Sequence, residues 1–185
     1  LLKRAARLLR SRDARLDTLH EWLRPWRGAP SLPGGAIRSV LFLCHGNICR
    51  SPFAAALLAA RRPDLRVASA GLAAGRDAPA DATAQAVAQR FGVTLAEHRS
   101  RPVEPSDLRR TDLVFVMQAH QAERARDLAG DPLVALRILA LGDFLEAPPF
   151  GLRDPWACPE ADFVEVFTRI DAALPAAPGP AQPVL

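Results

Sequence analysis

Apolar and polar positions alternate along the chain in blocks that predict strands and helices in turn. Short apolar runs with aliphatic and β-branched side chains predict four strands, at 37–43, 65–69, 112–117 and 133–141. Stretches of helix-forming residues predict helices at 53–60, 81–90, 119–128 and 160–173. The first run is apolar at every position from 40 to 43, which is typical of a parallel strand buried on both faces. The pattern therefore predicts an α/β domain: a doubly wound, four-stranded parallel sheet with helices on both faces.

A different pattern precedes this domain. Residues 1–24 place most of their leucines within a helical sector of about 100° and several basic residues opposite, which predicts a basic amphipathic helix. Prolines and glycines from Pro25 to Gly35 then predict the end of that helix and a linker. Such a helix could pack on the domain or a partner, lie on an anionic membrane surface, or stay disordered. The predicted organisation is an extension at 1–35, the α/β domain at 36–174 and a proline-rich tail at 175–185.

The positive charge is concentrated in the extension. The 185 residues carry a formal net charge of +4, and residues 1–35 hold eight Lys or Arg against three acidic residues. Because the excess of basic residues lies in the extension and not in the α/β domain, we predict no nucleic-acid-binding domain. No apolar stretch approaches the ~20 residues of a membrane-spanning helix. Three cysteines are too few for a disulfide framework, and we therefore expect a reducing, cytoplasmic location.

The most informative segment joins the first strand to the first helix of the domain, and reads Cys-His-Gly-Asn-Ile-Cys-Arg-Ser-Pro at 44–52. Its backbone N–H groups, from His45 to Arg50, can curl around a tetrahedral anion, and the next helix adds the positive end of its dipole. Gly46 and Asn47 accept the left-handed backbone angles that such a loop requires. The segment therefore predicts a phosphate-binding site at the carboxyl end of the first strand.

Three side chains of this segment carry candidate chemistry. Cys44 is a candidate nucleophile, because the positive field of the loop favours its thiolate. Arg50 can hold two oxygens of a phosphoryl group, and Ser51 can donate a hydrogen bond to the sulfur. A zinc site formed by Cys44, His45 and Cys49 is disfavoured, because the spacing is unusual for zinc and the arginine would repel the cation. The missing Gly-Lys pair excludes a nucleotide P-loop.

The segment resembles the signature of the low-molecular-weight protein-tyrosine phosphatase family, a Cys-x5-Arg-Ser loop near the N-terminus. The resemblance covers residues 37 to about 173. It includes Ser69-Ala70-Gly71, His98-Arg99-Ser100-Arg101, the third strand at 112–117 and Asp154-Pro155 before the last helix. The loop followed at this distance by Asp-Pro and a terminal helix is a highly specific combination.

The resemblance implies a phosphatase mechanism that needs no metal and no cofactor. Cys44 would attack phosphorus and form a cysteinyl-phosphate, while Arg50 clamps the phosphate. Asp154 would protonate the departing phenolate and then, as a base, activate the hydrolytic water. The implied substrate is a protein phosphotyrosine, in bacterial relatives often that of a tyrosine kinase. The loop residues that would bind the phosphate are His45, Gly46, Asn47, Ile48, Cys49 and Ser51.

The same resemblance assigns supporting residues around the loop. Ser69 and His98, together with Asn47, would form hydrogen bonds that hold the loop in its shape. Trp156 takes the first of two positions after Asp-Pro where relatives usually carry aromatic residues, and it can stack on a phenyl ring. Gln118 departs from the family, which often has an acidic residue at that position.

Three alternatives to a tyrosine phosphatase stay open. Arsenate reductases with the same loop need a further pair of cysteines, and only Cys158 lies outside the loop. Arginine phosphatases of the family typically have threonine where Ile48 stands, and a branched apolar residue fits a phenyl ring better. A phosphate-binding module without turnover is disfavoured because Cys44, Arg50 and Asp154 are all present.

Cys49 suggests a redox hypothesis in addition. It lies five residues after Cys44 in a tight loop. We expect peroxide to join the two in a reversible disulfide that protects Cys44 from further oxidation, with Cys158 as the alternative partner.

Overall fold

The computed structural model describes residues 11–174, so the predictions for residues 1–10 and for the tail at 175–185 lie outside the described residues. Four strands alternate with helices. The strands are β1 (Ser39–Cys44), β2 (Arg66–Gly71), β3 (Leu113–Val116) and β4 (Ile138–Ala140). The helices are α1 (Arg12–Arg27), α2 (Arg50–Arg61), α3 (Ala82–Gln89), α4 (Pro105–Arg110), α5 (Ala119–Ala129), α6 (Pro132–Ala135) and α7 (Glu160–Ala173), with a 3₁₀ turn at Leu141–Phe144.

The four strands form one parallel sheet in the order β2-β1-β3-β4. β1 lies inside the sheet, and its register pairs Cys44 with Gly71 of β2 and Leu43 with Val116 of β3. All carboxyl ends therefore lie at one edge. The predicted fold class, a doubly wound parallel α/β sheet, is confirmed.

Helices cover both faces of the sheet, and the buried side chains of β1 point alternately to one face and to the other. Val40 and Phe42 join the apolar cluster that includes residues of α2, α3 and α7. Leu41 and Leu43 join the opposite cluster, with residues of α4, α5 and α6. Burial on both faces explains why residues 40–43 are all apolar and do not alternate with polar residues.

Pro25 does not end the first helix, contrary to the prediction. α1 runs to Arg27 and contains Pro25 in its last turn. A proline there removes one backbone donor, and the helix ends soon afterwards at Gly28, whose φ of 68° is left-handed. Arg24 also fixes this turn, because its Nε donates to the carbonyl of Asp143 at 3.1 Å.

The strand predicted at 133–141 is wrong in its first half. The Asp131 carboxylate accepts a hydrogen bond from the N–H of Leu133, and Pro132 occupies the first turn, so a short helix begins here. Only Ile138–Ala140 pairs with β3. The sequence pattern did not predict α4, which begins with the same kind of signal, Pro105 in the first turn.

α1 packs on the domain through charged side chains. Its ion pairs with the domain are Arg12–Glu123, Asp13–Arg124, Asp17–His120, His20–Asp143 and Arg24–Asp143. The leucine stripe that predicted an amphipathic helix does not supply these contacts, and Leu19 on that stripe is 51% exposed. Within residues 11–174, no helix has the length and apolar character needed to cross a membrane.

Candidate active site

The Cys-to-Arg segment forms a tight loop at the carboxyl edge of the sheet. Cys44 is the last residue of β1 and Arg50 is the first of α2. The loop lies so close to β2 that a Cβ on Gly71 would be 2.7 Å from the carbonyl oxygen of His45 and 3.0 Å from the nitrogen of Asn47. Only glycine fits there without a shift of the backbone, and the register that pairs Gly71 with Cys44 fixes where the loop stands.

The framework around the loop binds its carbonyl groups. The accepting carbonyls are those of Cys44, His45 and Ile48, and their donors at 2.9 Å are the N–H groups of Leu72, Ala73 and Asp81. The N–H of Asn47 donates to the sulfur of Cys44. Among the described residues, none accepts a hydrogen bond from the other N–H groups of the loop, at 45, 46, 48, 49 and 50. These donors are available to an anion.

Asn47 fixes the shape of the loop from within. Its φ of 55° lies in the left-handed region, and its side chain is fully buried. Nδ2 donates to the hydroxyls of Ser51 and Ser69, both at 2.9 Å, and Oδ1 accepts the N–H of Arg101 at 3.0 Å. These bonds offset the cost of the left-handed conformation, roughly 1–2 kcal/mol. The structure thus places Asn47, Ser69 and Ser51 in one network.

The two cysteines of the loop have different surroundings. The sulfur of Cys44 lies 3.0 Å from the hydroxyl of Ser51 and 3.2 Å from the backbone nitrogen of Asn47. Both groups can donate to a thiolate. Burial, with the negative charges of Asp81 and Asp154 nearby, raises the pKa of Cys49 well above its usual value. Cys49 therefore stays a neutral thiol.

Arg50 is buried, and the domain holds its guanidinium from one side. Nη1 donates to Oε1 of Gln118 and to the carbonyl of Leu152, both at 2.9 Å. Nη2 forms an ion pair with Oδ2 of Asp154 at 2.5 Å. Nε is buried and meets no acceptor among the described residues. Because both hydrogens of Nη1 are committed, the edge formed by Nε and Nη2 is the one that can meet an anion.

Asp154 reaches this edge from the loop that precedes α7. The start of the segment is anchored, since the N–H of Leu152 donates to the carbonyl of Met117 at 2.8 Å. The carboxylate of Asp154 is 41% exposed, and its Oδ1 accepts the N–H of Trp156 at 3.3 Å. Trp156 itself is 62% exposed. The structure therefore brings Asp154 to Arg50 but leaves Trp156 largely in solvent.

His98 supports the loop from outside. Its Nε2 lies 2.6 Å from the carbonyl oxygen of Asn47. Burial lowers the pKa of His98 below its usual value, although the contact with that carbonyl opposes the change. Of the remaining predicted residues, His45 is exposed, Gly46 and Ile48 are half-buried, and Cys158 is exposed outside the loop.

The sequence did not reveal three groups that hold this site. Gln118 and the carbonyl of Leu152 bind Arg50, and the N–H of Arg101 binds Asn47. Two of these contacts are made by the backbone, which residue identity does not report. Gln118 attracted notice only as a departure from a family pattern.

A cysteine at the start of a loop whose N–H groups are open to an anion, on this fold, is an arrangement that suits a cysteine nucleophile. The family model described as "Low molecular weight phosphotyrosine protein phosphatase" matches residues 39–177. The chain belongs to this family, as its Cys-x5-Arg-Ser loop predicted.

Relatives share the domain but not the whole chain. The probable low molecular weight protein-tyrosine-phosphatase EpsP of Ralstonia nicotianae is 34% identical over 140 residues, which are 76% of this chain and 93% of EpsP. The crystal structure of the tyrosine phosphatase AmsI of Erwinia amylovora superposes with a TM-score of 0.71 at 31% identity, covering 78% of this chain and 93% of AmsI. The YwlE arginine phosphatase of Geobacillus stearothermophilus superposes with a TM-score of 0.64 at 28% identity, covering 73% and 89%.

Proposed function

We propose that the protein hydrolyses protein phosphotyrosine, with Cys44 as nucleophile, Arg50 as phosphate ligand and Asp154 as proton donor. The observation that carries this proposal is the set of loop N–H groups that meet no acceptor among the described residues, beside the sulfur of Cys44. Nε of Arg50 adds a further buried donor without a partner there. Together these donors suit the non-bridging oxygens of a phosphoryl group, whose charge they would stabilise in the transition state.

The proposed reaction has two steps. The thiolate of Cys44 attacks phosphorus, the bond from phosphorus to the tyrosine oxygen breaks, and Asp154 gives its proton to the departing phenolate. Asp154, now a carboxylate, then takes a proton from a water molecule as that water attacks the cysteinyl-phosphate. Inorganic phosphate leaves and the thiolate is restored. Ser51, 3.0 Å from the sulfur, stabilises the thiolate both as nucleophile and as leaving group.

Two residues near the loop support a phenyl substrate. Ile48 is a half-buried apolar side chain within the loop itself, and Trp156, two residues from the proposed acid, is exposed and able to stack on a ring. Since arginine phosphatases share the fold, residue 48 and not the fold is expected to select between phosphotyrosine and phosphoarginine. A bacterial tyrosine kinase is the protein substrate that we propose.

Trapping of the intermediate tests the proposal. Cys44→Ser should lower aryl phosphate hydrolysis by at least about a thousandfold. Acid quenching of the turning-over protein, followed by peptide mapping, should find phosphate on Cys44. The matched control is Cys158→Ser, which removes an exposed cysteine outside the loop and should leave the rate unchanged. A fully active Cys44→Ser variant, or no phosphorylated sulfur after quenching, would overturn the proposal.

Substrate choice needs a separate comparison. The protein is assayed side by side on a phosphotyrosine peptide, on a phosphoarginine peptide and on arsenate with a thiol reductant. We expect the phosphotyrosine peptide to be turned over fastest, and Ile48→Thr to shift the ratio towards phosphoarginine. Faster turnover of arsenate would identify a reductase, and phosphate binding without turnover would identify a non-catalytic module.

We further propose that the outer face of α1 contacts an anionic membrane surface, on the cytoplasmic side where Cys44 stays reduced. The acidic residues of the extension all contact the domain: Asp13, Asp17 and Glu21. The large apolar residues that α1 exposes are Leu19 at 51%, Trp22 at 66% and Trp26 at 84%. Tryptophan beside basic residues, in a segment whose acids face inward, suits the headgroup region of anionic lipid.

Vesicle sedimentation tests this surface. The full chain should sediment with phosphatidylglycerol vesicles and not with phosphatidylcholine vesicles, and Trp22→Ala combined with Trp26→Ala should abolish the difference. The matched control is Leu133→Ala combined with Leu136→Ala, which removes two exposed leucines from another part of the domain. Equal sedimentation of the tryptophan variant and the parent would refute the membrane contact.

A further inference from the structure

α1 lies outside the residues that the family model matches, yet it reaches the surroundings of Arg50. The matched range begins at residue 39, whereas α1 spans Arg12–Arg27. Two of its inward-facing carboxylates, Asp17 and Glu21, stand one helical turn apart. Asp17 binds one of the two acceptors of Arg50 Nη1, and Glu21 binds the two residues that precede the other acceptor.

Asp17 binds the first acceptor, Gln118. Its Oδ2 accepts a hydrogen bond from Nε2 of Gln118 at 3.1 Å and lies 2.9 Å from Nδ1 of His120, while its Oδ1 accepts the N–H of His120 at 3.0 Å. Since a carboxylate only accepts, it must face the NH₂ group of the Gln118 amide. The amide oxygen is then directed at Arg50, whose Nη1 donates to it at 2.9 Å.

The surroundings of Asp17 also keep it ionised. Burial alone would raise the pKa of this carboxyl, but the hydrogen bonds and charge of His120 outweigh burial and hold the pKa below its usual value. A charged acceptor makes the stronger hydrogen bond to Gln118. Asp17 therefore fixes the orientation of the amide across the neutral pH range.

Glu21 binds the loop segment that carries the second acceptor of Arg50 Nη1, the carbonyl of Leu152. Its two carboxylate oxygens accept the N–H groups of Phe150 and Gly151, at 2.9 and 2.5 Å. The next residue is Leu152, whose carbonyl accepts the other hydrogen of Arg50 Nη1. The same segment leads to Asp154. A helix outside the matched domain thus holds both acceptors of Arg50 Nη1 in place.

We propose that Asp17 and Glu21 are positioning residues for phosphate transfer: they fix the two acceptors of Nη1 and so direct the Nε and Nη2 edge of Arg50 at the phosphoryl group. This inference rests on the proposed role of Arg50 as phosphate ligand. Asp17 and Glu21 touch neither substrate nor sulfur and act through Gln118 and the segment at 150–152.

Asp17→Asn isolates the effect of orientation, because the new side chain has nearly the same shape. One of the two carboxylate oxygens of Asp17 is replaced by an NH₂ group, which can only donate. The groups that now donate to these oxygens are Nε2 of Gln118 and the N–H of His120. The orientation that keeps an oxygen for the N–H of His120 puts the new NH₂ group where it can donate to Nδ1 of His120, and there it also faces Nε2 of Gln118. In this orientation Gln118 either loses its acceptor or turns its own NH₂ group towards Arg50.

Inhibition constants are the decisive readout, since a smaller folded fraction lowers the rate but leaves them unchanged. Vanadate, an oxyanion that copies the five-coordinate transition state, probes the arginine directly. We expect Asp17→Asn to raise the inhibition constant of vanadate about tenfold, and Glu21→Gln to raise it by a smaller factor. The control is Asp13→Asn, which removes the ion pair to Arg124 on the same two helices and should leave the constant unchanged.

A double variant tests the route. If Asp17 acts through Gln118, then Asp17→Asn should have no further effect in a Gln118→Ala background. An unchanged vanadate constant in Asp17→Asn, or the same loss with and without Gln118, would overturn the inference. Failure of the proposed function would look different, because the parent protein would then hydrolyse no aryl phosphate and form no phosphorylated Cys44.

Discussion

Nη2 of Arg50 and Oδ2 of Asp154 lie 2.5 Å apart, so the proposed phosphate ligand and the proposed proton donor are paired with each other. The arginine is buried and held by two further acceptors, whereas the aspartate side chain is 41% exposed. When phosphate approaches the Nε and Nη2 edge, Asp154 is therefore the partner that can move. Phosphate and the carboxylate of Asp154 therefore compete for Nη2 of Arg50.

Replacing Asp154 with Asn should change catalysis and phosphate binding in opposite directions. We expect kcat on a phosphotyrosine peptide to fall about a hundredfold, because the leaving phenolate loses its proton donor. Inorganic phosphate should inhibit at lower concentration, because a negative charge no longer occupies Nη2. Steady-state kinetics with phosphate as inhibitor measures both.

The matched control for this substitution is Asp162→Asn, since Asp162 pairs with Arg153 nearby without touching Arg50. Asp162→Asn should leave both kcat and the inhibition constant of inorganic phosphate unchanged. An equal loss of kcat on an activated aryl phosphate, whose leaving group needs no proton, would contradict the role of Asp154 as acid.

Asn47→Asp should impair the nucleophile without dismantling the loop. The new carboxylate can still accept the N–H of Arg101, but it replaces the donor that faces the hydroxyl of Ser51. Ser51 would then donate to the carboxylate and no longer to the sulfur of Cys44, next to which a negative charge has been added. We expect kcat/KM to fall at least about tenfold.

Alkylation of Cys44 by iodoacetamide, followed over pH, measures this effect directly, and the reactive thiolate should appear at higher pH in the variant. Ser69→Ala is the control, because it removes one partner of Asn47 and leaves Ser51 with the sulfur. Identical alkylation profiles in Asn47→Asp and the parent would show that Ser51 does not serve the thiolate.

His98 should make the stability of the loop depend on pH. Burial lowers its pKa below 6.5 in the folded protein. The unfolded chain therefore takes up the proton first as pH falls, so the stabilisation is complete above pH 6.5 and is lost as pH falls through the folded pKa. We expect the thermal midpoint of the parent to drop between pH 7.5 and about 5.5 by more than that of His98→Gln.

The glutamine variant keeps a donor for the carbonyl of Asn47 and cannot titrate, so the difference between the two proteins isolates His98. His20, whose pKa is raised chiefly by Asp143, is present in both and cancels from the comparison. If the thermal midpoints of the parent and of His98→Gln fell by the same amount over this pH range, the role of His98 in the pH dependence would be refuted.

The sequence predicted what side-chain identity and spacing determine. The alternation of strand and helix patterns predicted the fold class, and the Cys-x5-Arg-Ser loop with the later Asp-Pro predicted the family. Local signals that compete with hydrophobic pattern were misread: Pro132 after Asp131 begins a helix inside a predicted strand, and Pro25 is tolerated because it stands in a last turn.

The family resemblance led us to expect Ser69 and His98 beside Asn47, and the structure brings them together. Other contacts between distant segments could not be predicted. The acceptors of Arg50 depend on which backbone carbonyl and which amide the tertiary structure brings near, and Leu152 has no side-chain property that announces this role. Likewise, the leucine pattern of α1 suggested an apolar contact, whereas Asp17 and Glu21 on the other side of the helix bind the domain. Only the folded chain shows which side of an amphipathic helix is used.

Mild peroxide should join Cys44 to Cys49. Peroxide oxidises the Cys44 thiolate to a sulfenic acid, the sulfur of Cys49 displaces its oxygen as water, and a disulfide forms that a thiol reductant reverses. Because burial raises the pKa of Cys49, its attack should be slow at neutral pH and faster as pH rises. Peptide mapping after a timed peroxide pulse measures the link.

Cys49→Ser should lose this protection, so that peroxide inactivates it irreversibly through sulfinic acid on Cys44. Cys158→Ser should behave as the parent does, because the exposed Cys158 lies outside the loop. A parent protein that accumulates sulfinic acid on Cys44 without any link to Cys49 would contradict the hypothesis, and a link to Cys158 would assign the protective role to that residue. Since neither outcome requires turnover, the test is independent of the substrate.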